Sequence, residues 1–200
     1  MSGTLSAIDV AVFFFINHTL QNPVFDAIMP WITDLNKHMV VLLLVFGTLV
    51  WMIVKGGATR TAAIVLIVTI VITDQLNSFW LKYLFERVRP CRALNDVHLL
   101  VSCGSGFSFP SSHAVNTFAG AAVLSHFFRK QTWAFMTFAG VVAFSRVYVG
   151  VHYPSDVVGG GILGAGMGTG ICVLYEYGAA RVHAWRNKGE SLLDDADRTD

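Results

Sequence analysis

The sequence predicts an all-α membrane protein, a polytopic transmembrane helical bundle of five to six spans behind short or interfacial amino-terminal helices. Three observations predict it. The chain is 54% hydrophobic and only 14% charged, where a soluble domain carries about a quarter charged residues, and its mean hydropathy is +0.57. Residues 39–54 and 61–73 contain no charge, and 114–128, 132–145 and 157–175 none beyond what His126 can carry. With their flanks, each run approaches the ~20 residues that cross a bilayer as helix. One such run suits a soluble core; five do not. Third, most of the titratable residues collect in the connections between these runs. Two hundred residues then make one domain, 1–200, with a helical core at 39–177.

The amino-terminal part, 1–38, is less regular. Residues 5–20 (LSAIDVAVFFFINHTL) are apolar but short and carry Asp9; residues 23–34 are amphipathic, with two prolines and a Trp. Both suit helices lying in the membrane interface, with a tilted sixth span through 5–20 as the alternative. No basic start precedes a small-residue cleavage site, so no removable signal peptide is expected. The span over 61–81 carries Asp74, which shares a helical face with residues 78 and 82. An intramembrane carboxylate is a functional candidate by default, but a structural role, paired with a basic residue or bonded to the protein's own polar groups, is the preferred reading. The glycines of 159–170 lie inside an apolar span, where they allow close helix packing and make no phosphate loop. Residues 178–200 form a cytoplasmic tail, its acidic end (ESLLDDADRTD) disordered by composition.

Five alternating spans divide the cations into two sets. Lys55, Arg60, Arg129, Lys130, Arg181, Arg186, Lys188 and Arg198 fall on one side; Lys37, Lys82, Arg87, Arg89, Arg92 and Arg146 fall on the other. At least three of the second set belong to polar clusters that give them another reason to be there. Discounting those, the positive-inside rule puts the first set in the cytoplasm. The 82–112 loop then faces outward, where Cys91 and Cys103 can form a disulfide. Cys172 reads as packing. A net charge of +1 without a long basic tract gives no sign of a nucleic-acid partner.

Three polar clusters share the outward side: KYLFERVRP (Lys82 to Pro90), PSSH (Pro110 to His113) and SRVYVGVHYPSD (Ser145 to Asp156). Each has a bland reading. Lysine and arginine at span ends snorkel to headgroups, a serine before a helix caps it, and a lone interfacial histidine is usually structural. Pro110 suits the first turn of a helix, whose free N–H groups attract anions. Convergence favours function: three cations, two imidazoles, hydroxyls, a helix N-terminus and a carboxylate are the equipment for binding and attacking a phosphoryl group.

These residues resemble the type 2 phosphatidic acid phosphatase family, related to vanadium haloperoxidases and glucose-6-phosphatase. Its pattern is Lys-x6-Arg-Pro, then Pro-Ser-Gly-His, then Ser-Arg-x5-His-x3-Asp. Lys82, Arg89 and Pro90 match the first part, Pro110, Ser111 and His113 the second, and Ser145, Arg146, His152 and Asp156 the third. Ser112 stands where the commonest family form has glycine, as in the dolichyl-diphosphatase branch and many small bacterial members. The resemblance implies a nucleophilic His152 forming a phosphohistidine, oriented by Asp156, with His113 as general acid and base. It implies a phosphate cradle of Lys82, Arg89, Ser111, Ser112 and Arg146, and neither metal nor cofactor. Because Tyr153 and Pro154 interrupt any helix from 152 to 156, Asp156 must reach back from the start of the next one.

The implied partners are the bilayer and a phosphorylated lipid. The implied location is the bacterial inner membrane, with the site facing the periplasm. The Pro-Ser-Ser-His form favours a polyprenyl (undecaprenyl) diphosphate; phosphatidylglycerol phosphate, phosphatidic acid and lipid A phosphate are the alternatives. A non-catalytic phospholipid binder or transporter would lack the nucleophile or the acid, and both histidines are present. A haloperoxidase would usually be larger and soluble.

Overall fold

The structure is a computed structural model that describes residues 3–197, and among these every regular element is helical. Helix α1 (Gly3–Phe14) runs into a π-helical turn at Phe15–Thr19. Helix α2 (Pro23–Thr33) starts at Asn22, whose Oδ1 accepts the Phe25 N–H at 2.9 Å, with Pro23 in its first turn. Helices α3 (Met39–Lys55) and α4 (Gly57–Leu76) follow; α4 continues through a π turn at Asn77–Leu81 into α5 (Lys82–Phe85). A short α6 (Pro90–Ala93) interrupts the long loop to α7 (Ser112–Phe127). Helix α8 (Thr132–Tyr148) and helix α9 (Pro154–Asp197) complete the bundle.

The rod that starts at Gly57 and α9 are each long and apolar enough to cross a membrane; α3 and the stretch Ser6–Thr19 are apolar but shorter. Helices α7 and α8, of 16 and 17 residues, reach roughly 25 Å at 1.5 Å per residue. Two helices therefore meet the spanning length outright, where the sequence suggested five to six. The outer surface is nonetheless that of a membrane protein: Phe46, Val54, Ile162 and Leu174 are each about two-thirds exposed or more, and apolar faces of this extent need a partner other than water.

Two expectations for the ends change. Helix α1 is short, as expected, but it does not lie apart on a surface. Phe13 is wholly buried against Ala114, Val147, Tyr153 and Val157, and Asn17 is fixed by donating to the carbonyls of His98 at 2.8 Å and Tyr148 at 2.7 Å. At the other end α9 stays helical through Asp197, where a disordered acidic tail was expected. The run 178–197 holds four alanines and no proline, so nothing in it stops the α9 geometry from continuing. Residues 198–200, which include Arg198, lie outside the described residues.

The centre of the bundle is the contact of α7 with α9, and glycines at four-residue spacing make it possible. A Cβ on Gly164 would stand 2.1 Å from the Val115 carbonyl oxygen, and one on Gly168 would stand 2.5 Å from that of Ala119. The helix backbones touch directly, as small residues permit between membrane helices. Gly164→Ala is expected to force the helices apart and cost about 1–3 kcal/mol, lowering the thermal midpoint in detergent. Gly166→Ala, with open space around the new methyl, is expected to leave that midpoint unchanged.

Candidate active site

One end of the bundle gathers the C-terminal ends of α5 and α8 and the N-terminal ends of α7 and α9. The 86–111 loop closes over it, joined across its width by a Cys91–Cys103 disulfide with a Cα–Cα distance of 6.0 Å. The α8–α9 connection turns at Gly150, which has φ +87°. A side chain there would meet Val97 Cγ1 at 2.7 Å and the His98 carbonyl oxygen at 3.0 Å, so this turn requires glycine. The turn sets His152 just before α9, buried to 1% exposure.

His152 is held by both ring nitrogens. Nε2 lies 3.1 Å from Arg89 Nη1, and Nδ1 lies 3.4 Å from Asp156 Oδ2. A guanidinium can only donate, so Nε2 is the unprotonated nitrogen and Nδ1 carries the proton toward the carboxylate. Burial pushes the His152 pKa down to about 4, with the Asp156 hydrogen bond opposing and the Arg146 and Arg89 charges reinforcing the fall. The ring is neutral at pH 7, with a nucleophilic lone pair at Nε2.

Asp156 occupies the first turn of α9, wholly buried, and reaches back as the Tyr153-Pro154 interruption requires. Its Oδ2 accepts the Tyr153 N–H at 2.8 Å and the Ser108 hydroxyl. Its Oδ1 accepts Arg87 Nη1 at 2.7 Å. Arg87 stacks over the Tyr153 ring at 4.0 Å and donates through Nη2 to Asp9 Oδ2 at 2.5 Å. Asp9 also accepts the Ser155 N–H at 2.9 Å. The bland reading of Asp156 as a helix cap is therefore true but incomplete, because the same carboxylate orients the imidazole.

The sequence reading left Arg87, Asp9 and Ser108 out of the site. Arg87 stood within the first cluster without a role, and Asp9 was visible only as a carboxylate inside an apolar run. Ser108, two residues before the second motif, carried no signal.

The second cluster departs from expectation in one detail. Pro110 follows a cis peptide bond with Phe109 and stands outside α7, so Ser111 is the residue before the helix and Ser112 opens it. The N–H groups of Ser112 and His113 belong to the first turn and have no intrahelical acceptor. The buried Ser111 hydroxyl and Arg146 Nε have no partner. Buried polar atoms held without partners are costly, and here they converge with cations. Lys82 Nζ contacts the Phe107 carbonyl at 3.4 Å and has Arg89, Arg146, Asp156 and Asp74 as charged neighbours. Arg89 is braced through Nε to the Gly106 carbonyl at 3.2 Å, and Arg146 through Nη1 to Thr33 Oγ1 at 2.7 Å. His113 has Arg146, Asp34 and Lys82 as charged neighbours, with His152 beside them, and lines a groove that leaves the site along α3 and α8. The structure thus brings Lys82, Arg89, Ser111, Ser112, His113, Arg146, His152 and Asp156 to one end of the bundle. This arrangement can seat a tetrahedral oxyanion against a neutral imidazole.

Comparison with known proteins identifies the family. The model of the PAP2 superfamily matches residues 61–179. A lipid A 4'-phosphatase of Bacteroides thetaiotaomicron is 31% identical over 175 residues, 80% of this chain and 73% of that protein. An undecaprenyl-diphosphatase of Bacillus subtilis, BcrC, is 30% identical over 140 residues, 70% and 69% of the two chains. The crystal structure of a transmembrane PAP2-type phosphatidylglycerolphosphate phosphatase from Bacillus subtilis superposes with a TM-score of 0.68 at 26% identity, covering 88% of each chain.

The Asp9–Arg87–Asp156 triad makes a stability prediction. Arg87→Met leaves two buried carboxylates facing each other, an expected cost of about 3–5 kcal/mol seen as a fall in the thermal midpoint. Adding Asp9→Asn removes one of those charges, so the double variant is expected to be more stable than Arg87→Met alone.

Proposed function

Because the chain belongs to the PAP2 superfamily, a membrane lipid phosphatase family, we propose that it hydrolyses a phosphomonoester or diphosphate of a membrane lipid through a phosphohistidine on His152, without a metal ion. The observation that carries this reading is the buried, neutral His152, with Nε2 facing Arg89 and Nδ1 facing Asp156. In the first step Arg89 moves its N–H from Nε2 to a non-bridging oxygen of the phosphate. Nε2 attacks phosphorus, the P–O bond to the lipid breaks, and His113 gives its proton to the departing oxygen. In the second step His113 takes a proton from water, which attacks the phosphohistidine; inorganic phosphate leaves and His152 is restored. Burial and the Arg146 charge lower the His113 pKa, and the anionic phosphate offsets those cations so that the ring can carry the proton it gives and later takes back.

Lys82, Arg89 and Arg146 carry the charge on the equatorial oxygens, and the N–H groups of Ser112 and His113 with the Ser111 hydroxyl complete the cradle. Preorganised donors of this kind typically supply about 3–4 kcal/mol of transition-state stabilisation each. The donor set suits a metal-free reaction: both oxygens of Asp156 are already taken by Arg87, Ser108 and Tyr153. The proposed setting is the bacterial inner membrane with the site outward, which the Cys91–Cys103 bond in the loop over the site supports. The relatives' names divide between diphosphates of polyprenols and monoesters of glycerol or sugar lipids. The Pro-Ser-Ser-His form supports the first class, and the longer match to the lipid A 4'-phosphatase supports the second.

Purified protein in detergent with chelator is expected to release phosphate from at least one of undecaprenyl diphosphate, phosphatidylglycerol phosphate, phosphatidic acid and a lipid A phosphate. His152→Ala is expected to lose on the order of 10³-fold or more of that rate. Release that depends on added metal, or that survives in His152→Ala, contradicts the proposal.

A further inference from the structure

The groove that opens beside His113 has two unlike walls. It encloses about 460 Å³. Val41 and Val45 of α3 with Phe138 and Val142 of α8 make one side apolar, and Asp74 of α4 with Asn116 of α7 makes the other polar. Asn116 lies three residues along α7 from His113, about 5 Å deeper. Its amide is held at both ends, with Nδ2 donating to Asp74 Oδ1 at 2.9 Å and Oδ1 accepting the Thr73 hydroxyl at 2.9 Å. Above it, Asn77 Nδ2 donates to Ser112 Oγ at 2.8 Å, so the Ser112 hydroxyl is free to donate in turn. Among the described residues, Asp74 Oδ2 takes no hydrogen bond and no cation reaches ion-pair distance of Asp74.

The structural role expected for Asp74 thus uses one carboxylate oxygen and leaves the other on the groove wall. A carboxylate accepts hydrogen bonds and repels a second anion strongly where little water screens it. A bare hydrocarbon tail against it would leave a costly polar group unmet. His113 serves the leaving oxygen, so the alcohol that departs is the part of the substrate nearest this wall.

Resting on the lipid phosphatase reading, we propose that Asp74 and Asn116 form a subsite for hydrogen-bond donors on the leaving alcohol. The substrate class is then a phosphomonoester whose alcohol carries hydroxyl or amide N–H groups close to the scissile bond, as a glycerol headgroup or an acylated amino sugar does. A polyprenyl diphosphate, whose leaving group is itself a phosphate, is disfavoured, which turns the choice away from the class that Pro-Ser-Ser-His suggested. Phosphatidic acid is disfavoured for another reason: its departing diacylglycerol offers only acceptors beside the broken bond.

The test is kcat/KM in mixed micelles for phosphatidylglycerol phosphate, a lipid A phosphate, phosphatidic acid and undecaprenyl diphosphate, with wild type and Asp74→Asn. The wild type is expected to prefer one or both of the first two, and which one separates the glycerol from the sugar source. Asp74→Asn is expected to lose roughly tenfold on the preferred substrate and to keep or gain activity on the diphosphate. Equal losses on all four substrates, or a wild type that prefers phosphatidic acid or the diphosphate, overturns the subsite. The wild-type ranking decides even where the variant does not fold. A wild type that releases no phosphate from any of the four removes the phosphatase reading, and the subsite with it.

Discussion

The candidate site depends on keeping one carboxylate out of water. Asp156 is wholly buried, and an unpaired buried charge costs several kcal/mol. Its oxygens are met by a guanidinium and a hydroxyl from the 86–111 loop, and by a backbone N–H and an imidazole from the α8–α9 turn. The donors come from two segments, so satisfying the charge also fixes the loop against the turn. Through Arg87 the requirement extends to Asp9 on α1. That helix precedes the region matched by the family model, yet through Asp9 it braces the guanidinium that meets Asp156.

The anion cradle depends on a second constraint, the approach of α7 to α9. The Ser111 N–H bonds the Asp156 carbonyl at 3.1 Å, which ties the start of α7 to the first turn of α9. That bond forms only because the glycine face of α9 lets the two backbones touch. The free N–H groups of α7 and the His152 imidazole before α9 are thereby presented to the same space. Packing deep in the bundle and chemistry at its mouth are one arrangement. In the proposed reaction, the groove from His113 takes the hydrocarbon on the α3 and α8 side while the phosphate meets the cations.

Much of this site was readable in the sequence because it sits at the ends of apolar runs. A charge at such an end is conspicuous, and three clusters on one side of a bilayer must meet. The resemblance paired Asp156 with His152, and the Tyr153-Pro154 interruption implied that Asp156 reaches back from the next helix start. The supporting residues were not readable for a physical reason: Arg87, Ser108 and Asp9 act through contacts between segments far apart in the chain, and no local spacing encodes those. Apolar content identified the membrane class, and two helices have the full spanning length; α1 packs within the bundle, where its length suggested an interfacial helix or a tilted span. The tail reading gave weight to acidic composition, while the absence of a helix breaker let α9 continue to Asp197.

The central claim is that His152 becomes covalently phosphorylated and that His113 governs release. The most direct measurement is rapid acid-free quenching of a His113→Asn variant after mixing with lipid carrying ³²P in the scissile phosphate, followed by mass spectrometry of the labelled peptide. The account predicts an alkali-stable, acid-labile phosphate on His152. Labelled phosphate released with no protein-bound intermediate, or label on any other residue, would contradict it.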